Sequence, residues 1–209
     1  MQLANTCKAI LSLWPNNIHM NFQEYLHYFE QVLSAESPAA PYDQPDYFNY
    51  TKLNWARMNR WLKTAELTEE MKAVVDGIRE PQHWIIITEP WCGDAAHVVP
   101  FLNMIAIRNP LISVNYELRD SEPFRINAYL TNGGKSIPKL VIRNPQGADL
   151  AVWGPRPVKC QEVYAALTAQ KADLETLKIG LQNWYNEDKG QQIQAEVSAL
   201  LTSVKAGIS

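Results

Sequence analysis

Apolar residues recur with a helical period over the first 80 positions of the chain. Those at 22, 26, 29 and 33 are three or four residues apart and predict one buried face of a helix. A tract with three prolines at 37–46 predicts a loop, and the apolar residues between 47 and 62 predict a second helix. Thr68, followed by two glutamates, predicts the start of a third helix that closes near Gly77.

The pattern changes after residue 81, where short apolar runs predict strands. Trp84 and three consecutive isoleucines lie within 83–88, and such a continuous run is typical of a strand buried on both faces. A turn at 144–147 predicts a hairpin, and two helices are predicted to end the chain. The other predicted elements are a helix at 92–107, a strand at 112–118, a helix at 122–130, and strands near 139–142 and 150–153.

This order of elements predicts an α/β fold. A β-α-β crossover followed by a hairpin requires a mixed sheet, and the flanking helices cover both of its faces in a three-layer α/β/α arrangement. Eleven of the 21 aromatic residues lie between Trp14 and Trp61. Two interpretations of that N-terminal region stay open: a helical layer that completes the core, or a cap that shapes access to a functional site.

Composition narrows the class of protein. The 209 residues carry a formal net charge of −3, which excludes nonspecific electrostatic binding to nucleic acid or to an anionic membrane. No apolar stretch approaches the ~18 residues that span a bilayer, and the first 14 residues lack a signal-peptide pattern. Three scattered cysteines, Cys7, Cys92 and Cys160, do not form an extracellular disulfide framework. We therefore expect a soluble cytoplasmic protein.

The segment at 88–95 carries the chemistry. Cys92 follows a predicted strand and opens a predicted helix, where unpaired backbone N–H groups and the helix dipole favour a thiolate. Asp94 opposes this effect, because a carboxylate in the same turn repels a thiolate. The alternative is that Cys92 is a small buried residue packed at a helix start.

Four features in order resemble the thioredoxin family over 82–170. The Trp-Cys-Gly sequence at 91–93 matches the start of the family's active-site motif, and Pro100 matches its helix-bending proline. Ile137-Pro138 resembles the family's Ile-Pro pair with a cis bond, and Gly154 matches the glycine after the last strand. The resemblance implies that Cys92 is the catalytic nucleophile. It implies a substrate-binding surface formed by Trp91, Gly93, Asp94, Ile137, Pro138 and Gly154.

The resemblance also divides the chain and shows two departures. It implies a helical N-terminal extension at 1–80, a thioredoxin-like core at 81–170 and a C-terminal helical extension at 171–209, together one compact domain. Ala95 stands where the family has its second cysteine, and Ile86 where it has a buried aspartate. A mixed disulfide at Cys92 would therefore need glutathione or another external thiol to resolve it.

Three functions are consistent with these features. The first is thiol-disulfide chemistry through Cys92 alone, with protein thiols, protein disulfides or glutathione as partners. The second is a non-catalytic binding module that kept the fold. The third is a glutaredoxin-like protein that uses glutathione, with an iron-sulfur cluster, but the Gly-Phe-Ser pattern after the cysteine is missing. We expect no metal site, because the histidines share no ligand spacing, and no cofactor, nucleic acid or membrane partner.

Overall fold

A four-stranded mixed sheet forms the centre of the molecule in a computed structural model that describes residues 20–208. The strands are β1 Gln82–Thr88, β2 Ile112–Leu118, β3 Lys139–Arg143 and β4 Asp149–Trp153. Their spatial order is β2-β1-β3-β4, in which β1 pairs parallel with β2 and antiparallel with β3, and β3 pairs antiparallel with β4. The mixed sheet and the hairpin predicted from the sequence are confirmed.

Strand β1 is the core of the sheet. All seven of its residues are buried, as the continuous apolar run predicts for a strand with a neighbour on each side and helices over both faces. Ile86 lies opposite Tyr116 of β2 and Leu140 of β3, and both of these residues are buried as well. The strand that leads into Cys92 is therefore held rigidly.

Seven α-helices surround the sheet within the described residues. They are α1 Phe22–Ser34, α2 Pro45–Thr64, α3 Glu69–Asp76, α4 Gly93–Ile107, α5 Val158–Ala169, α6 Leu174–Asp188 and α7 Gln191–Ile208. The Thr68 hydroxyl accepts a hydrogen bond from the Met71 amide at 3.1 Å, so the predicted start of the third helix is confirmed. None of these helices is long and apolar enough to cross a membrane.

Two helical predictions differ from the structure. The helix predicted at 122–130 is only a single 3-10 turn, Arg125–Ala128, because Phe124 has a left-handed backbone, with a φ of +52°, that interrupts a right-handed helix. Helix α6 was not predicted, so three helices rather than two follow the sheet. Its apolar stripe is weak, since Leu174 is exposed and Tyr185 is its one buried residue.

The N-terminal helices complete the core. Tyr25 of α1 is fully buried and stacks on Tyr116 of β2 with ring centroids 5.5 Å apart. Its hydroxyl lies 3.3 Å from the hydroxyl of Thr88, at the end of β1. Helix α2 packs along α4 and buries Trp61, whose indole Nε1 donates to His97 Nδ1 at 2.8 Å. These aromatic residues support the interpretation of the N-terminal region as a helical layer that completes the core. Trp14 lies outside the described residues.

Candidate functional site

Cys92 caps helix α4 with its sulfur. Its backbone is extended, and the Sγ atom accepts a hydrogen bond from the Ala95 amide at 3.4 Å. The thiol donates to the carbonyl oxygen of Ile137, also at 3.4 Å. The predicted start of this helix at Cys92 is thus confirmed within one residue. The cysteine faces the loop of Ile137 and Pro138, which the resemblance implies is part of a substrate-binding surface.

The loop before β3 and the loop after β4 meet beside this cysteine. The Ile137–Pro138 peptide bond is cis, as expected, and both residues are buried. Gly154 has a φ of +111°, and a Cβ atom there would collide with the carbonyl oxygen of Pro138. The structure therefore brings Cys92, Ile137, Pro138 and Gly154 together from three separate parts of the sheet.

Two residues next to Cys92 contact the N-terminal helices. Trp91 is half-buried, with the ring of Tyr47 edge-on at 6.0 Å and the Arg119 guanidinium over its face at 4.5 Å. A Cβ atom at Gly93 would collide with the Tyr50 hydroxyl, so glycine allows α2 to approach α4 closely. The N-terminal region thus also shapes access to Cys92, the second of the interpretations left open.

Asp94 is the centre of a buried ion pair. Arg156 donates to Asp94 Oδ2 from Nη2 at 2.6 Å and from Nε at 3.1 Å, and the two side chains are only 14% and 10% exposed. The Tyr185 hydroxyl donates to Asp94 Oδ1 at 2.8 Å. Both carboxylate oxygens therefore have strong partners, and the side chain ties α4 to the loop before α5 and to α6.

Burial decides the protonation state of Cys92. The side chain is 7% exposed, and burial, reinforced by the Asp94 carboxylate, raises its pKa to about 12. The Ala95 amide and Arg156 act in the opposite direction but do not compensate. The helix start that favours a thiolate is present, yet burial of the side chain outweighs it and favours the neutral thiol.

The other described cysteine is sealed from solvent. Cys160, the third residue of α5, is fully buried, and burial raises its pKa to about 12. Cys92 and Cys160 are both free thiols. Cys160 is thus a packed core residue, as expected, while Cys7 lies outside the described residues.

His97 is a packing residue. Its Nε2 atom lies 3.2 Å from Gln182 Oε1, and its ring stacks on Tyr185 at 4.4 Å. Burial lowers its pKa to about 3, so the ring stays neutral. A neutral ring bonded to Trp61 and Gln182 in this way is not placed to act as a general base for Cys92.

A cavity of about 660 Å³ opens over Cys92. It is bounded by α2, the Cys92 loop, the loop before β3 and the start of α6. Four basic and two acidic side chains line it, although the whole chain has a net charge of −3. The charged residues are Arg119, Lys135, Arg156, Lys178, Asp46 and Asp94, and the aromatic ones are Tyr47, Tyr50 and Trp91.

A family model described as thioredoxin matches residues 41–172, which run from before α2 to just past the end of α5 and include every residue of this site except those of α6. The chain belongs to the thioredoxin family. No curated protein matches this thioredoxin-family chain.

Two solved structures resemble this thioredoxin-family protein. The crystal structure of an HIV epitope scaffold has a TM-score of 0.56 and 13% identity, covering 96% of this chain and 97% of that chain. A protein of unknown function from Pseudomonas aeruginosa has a TM-score of 0.48 and 14% identity, covering 83% of this chain and 94% of its own. At 13% identity the first likeness shows the fold alone.

Sequence reasoning missed several residues of this thioredoxin-family site. Arg156 follows Gly154 by two positions, so its place near the active-site surface could have been inferred from the resemblance. Tyr185 carries no such signal, because its helix was not predicted. Glu89, next to the recognised motif, is buried, and burial raises its pKa to about 7. It accepts one hydrogen bond from the Tyr42 hydroxyl at 3.4 Å.

Proposed function

We propose that this protein is a binding module of the thioredoxin family that holds an acidic, extended protein segment in the cavity over Cys92, without a dithiol redox cycle. The observation that carries this proposal is the state of Cys92. Its thiol is buried, neutral and hydrogen-bonded to Ile137, and Ala95 leaves no second thiol three residues away.

The magnitudes favour binding over exchange. With a pKa of about 12, roughly one Cys92 side chain in 10⁵ is a thiolate at pH 7. Relative to an ordinary thiol near 9, the thiolate fraction falls about 10³-fold, while the nucleophilicity of each thiolate rises only about 30-fold. The net rate of attack on a disulfide is therefore about 30-fold lower, before the added hindrance of burial.

The cavity itself favours an anionic partner. Arg156 is neutralised by Asp94 and Arg119 by Asp120, which leaves Lys135 and Lys178 facing a single further carboxylate, Asp46. Trp91 and Tyr47 add aromatic surface for the apolar part of a ligand. The resemblance implies that residues 137–138 present backbone to an extended segment, and Lys135 and Ser136 continue that edge. The two free, buried thiols are consistent with a reducing, cytoplasmic location, which is part of this proposal.

The binding half is tested with a fluorescein-labelled hexaglutamate peptide and fluorescence anisotropy. We expect the wild type to bind it more tightly than the matched hexalysine peptide, and Cys92→Ser to bind equally well. Lys135→Glu should weaken binding at least tenfold, and the control Lys63→Glu, an exposed lysine at the end of α2, should not. Equal affinity for both peptides, or an equal loss in both lysine variants, would contradict the proposal.

Single-cysteine exchange is the second candidate, because Cys92 lines the cavity and its sulfur accepts the Ala95 amide. In that reaction the Cys92 thiolate attacks oxidised glutathione, one Cys92–glutathione disulfide forms, and one glutathione thiolate leaves. Peptide-resolved mass spectrometry after treatment with oxidised glutathione distinguishes the two. Rapid, stoichiometric modification of Cys92 would favour exchange, and no modification while glutathione reacts with an unfolded control favours binding.

A further inference from the structure

Arg57, in the middle of α2, is a buried cation without a counter-ion among residues 20–208. It is 9% exposed, and its Nη1 atom donates to Asn54 Oδ1 at 2.8 Å. Its Nε atom has no hydrogen-bond partner within residues 20–208. The ion pairs of that part of the chain do not include Arg57 either. Tyr50 is a second neighbour: its ring centroid lies 5.0 Å from the guanidinium, and its hydroxyl is hydrogen-bonded to Arg57 but supplies no negative charge.

A buried guanidinium is energetically unfavourable unless a negatively charged group compensates its charge. A guanidinium carries five N–H donors and stays protonated, so it cannot escape burial by losing its charge. Leaving a buried charge uncompensated is strongly destabilising. Arg156, whose side chain is 14% exposed, has a carboxylate partner in Asp94. Arg57 has no such carboxylate partner among the described residues.

A cavity of about 160 Å³ lies beside Arg57, between α2, the first turn of α4 and α6. Its volume is several times the ~30 Å³ of one water molecule, which leaves room for a small anion. Lys178 and the first residue of α4, Gly93, also line it, and Lys178 lies 4.7 Å above the Tyr50 ring. The positive end of the α4 dipole therefore points to the same space.

The remaining titratable groups around this cavity do not supply the missing negative charge. Asp94 is paired with Arg156, and His97 is neutral because burial lowers its pKa to about 3. Burial raises the pKa values of Tyr50 and Tyr185, so both keep their protons. Glu175 lies 3.9 Å from Lys178 but is 73% exposed, where such a pair contributes little. The cavity is cationic on balance.

We propose that this cavity binds a small oxyanion, held by the Arg57 guanidinium and the Lys178 ammonium group. The anion is a free phosphate or sulfate, or the equivalent group of a larger ligand. An anionic group of a larger ligand can reach this cavity because it adjoins the larger one over Cys92. The two cavities share five lining residues, Tyr50, Gly93, Asp94, Leu174 and Lys178. This inference does not depend on the function proposed above, since it rests on Arg57 and not on Cys92.

The test is the thermal midpoint of unfolding of the full chain in sodium phosphate, sodium sulfate, sodium acetate and sodium chloride at one ionic strength. A ligand that binds only the folded state raises that midpoint. We expect phosphate and sulfate to raise it above the chloride value in the wild type. A rise with acetate alone would contradict a tetrahedral oxyanion site.

Variants identify the residues responsible. Phosphate raises the midpoint of any folded protein to some extent by exclusion from its surface, so Arg57→Met should reduce the rise to that general part, and Lys178→Met should weaken phosphate binding at least tenfold. Arg60→Met, an exposed arginine one turn further along α2, is the matched control and should keep the whole rise. If Arg57→Met fails to fold, Arg57→Lys and Lys178→Met still decide the question. The proposal is overturned if the wild type shows no rise, or if these variants respond to phosphate like the wild type.

Discussion

Two buried carboxyl groups lie on either side of Cys92, and their surroundings differ completely. Asp94 accepts hydrogen bonds from Arg156 at 2.6 Å and from Tyr185 at 2.8 Å. Glu89 accepts from the Tyr42 hydroxyl and from the Asp120 amide, both at 3.4 Å, while its nearest arginine, Arg119, is paired with Asp120. Only five positions separate Glu89 from Asp94. The protein thus pairs one carboxylate with an arginine, while burial raises the pKa of the other to about 7.

The largest effect should come from breaking the Asp94 ion pair. Arg156→Met leaves the Asp94 carboxylate buried without a cation, and we expect the free energy of unfolding to fall by about 3 to 5 kcal/mol in urea titrations. The control is Arg143→Met, because its partner Asp149 is 38% exposed and the loss there should be at most about 1 kcal/mol. Equal losses in both variants would show that Asp94 is not held differently from a surface carboxylate.

Glu89 should make stability depend on pH. Burial raises its pKa to about 7, so the folded state holds this proton more tightly than the unfolded state does. Its contribution is therefore fully present in acid and is lost as the pH rises from about 4.5 to about 7. Glu89→Gln should remove this loss and raise the free energy of unfolding at pH 8 by about 2 to 3 kcal/mol.

The control for Glu89 is Glu36→Gln, at an exposed position after α1. It should leave the dependence of unfolding on pH unchanged. A Glu89→Gln protein that still loses stability between pH 5 and pH 8 as steeply as the wild type would contradict the assignment of this titration to Glu89.

A smaller effect should follow from the second partner of Asp94. Tyr185→Phe removes one hydrogen bond to a buried carboxylate but keeps the ring that stacks on His97, so we expect a loss of about 1 to 2 kcal/mol. Tyr129→Phe removes a similar bond to the more exposed Asp149 and should cost about 0.5 kcal/mol. If Tyr185→Phe is no worse than Tyr129→Phe, the hydroxyl is not needed to hold Asp94.

The smallest effect should come from removing a hydrogen bond to Glu89. Tyr42 donates to Glu89 across 3.4 Å, a weak hydrogen bond, and Tyr42→Phe should reduce the free energy of unfolding by about 0.5 kcal/mol or less. Tyr47→Phe, on an exposed ring, provides the baseline. A loss in Tyr42→Phe as large as that in Tyr185→Phe would remove the contrast between the two carboxyl groups.

Local patterns in the sequence predicted most of the fold. The apolar run of β1, the hairpin and the start of α3 at Thr68 each depend on neighbouring residues, whose spacing the sequence displays directly. Helix α6 was not predicted because its partly buried residues do not form a clear apolar stripe and only Tyr185 is fully buried. The segment 122–130 forms only one 3-10 turn because the left-handed backbone of Phe124 interrupts the predicted helix, and the apolar pattern of a sequence does not show such a conformation.

The sequence by itself determined the α/β fold, the position of Cys92 at a helix start and its convergence with Pro138 and Gly154. These features follow from local periodicity and from motifs that resemble the thioredoxin family. The tertiary structure alone decided the electrostatics of the site. Asp94 is held by Arg156 and Tyr185, which lie up to 91 positions away in the sequence. Burial favours the neutral thiol of Cys92, and Arg57 is buried without a carboxylate partner among the described residues. Solvent exclusion and long-range pairing depend on the packed chain, and no short segment of sequence contains them.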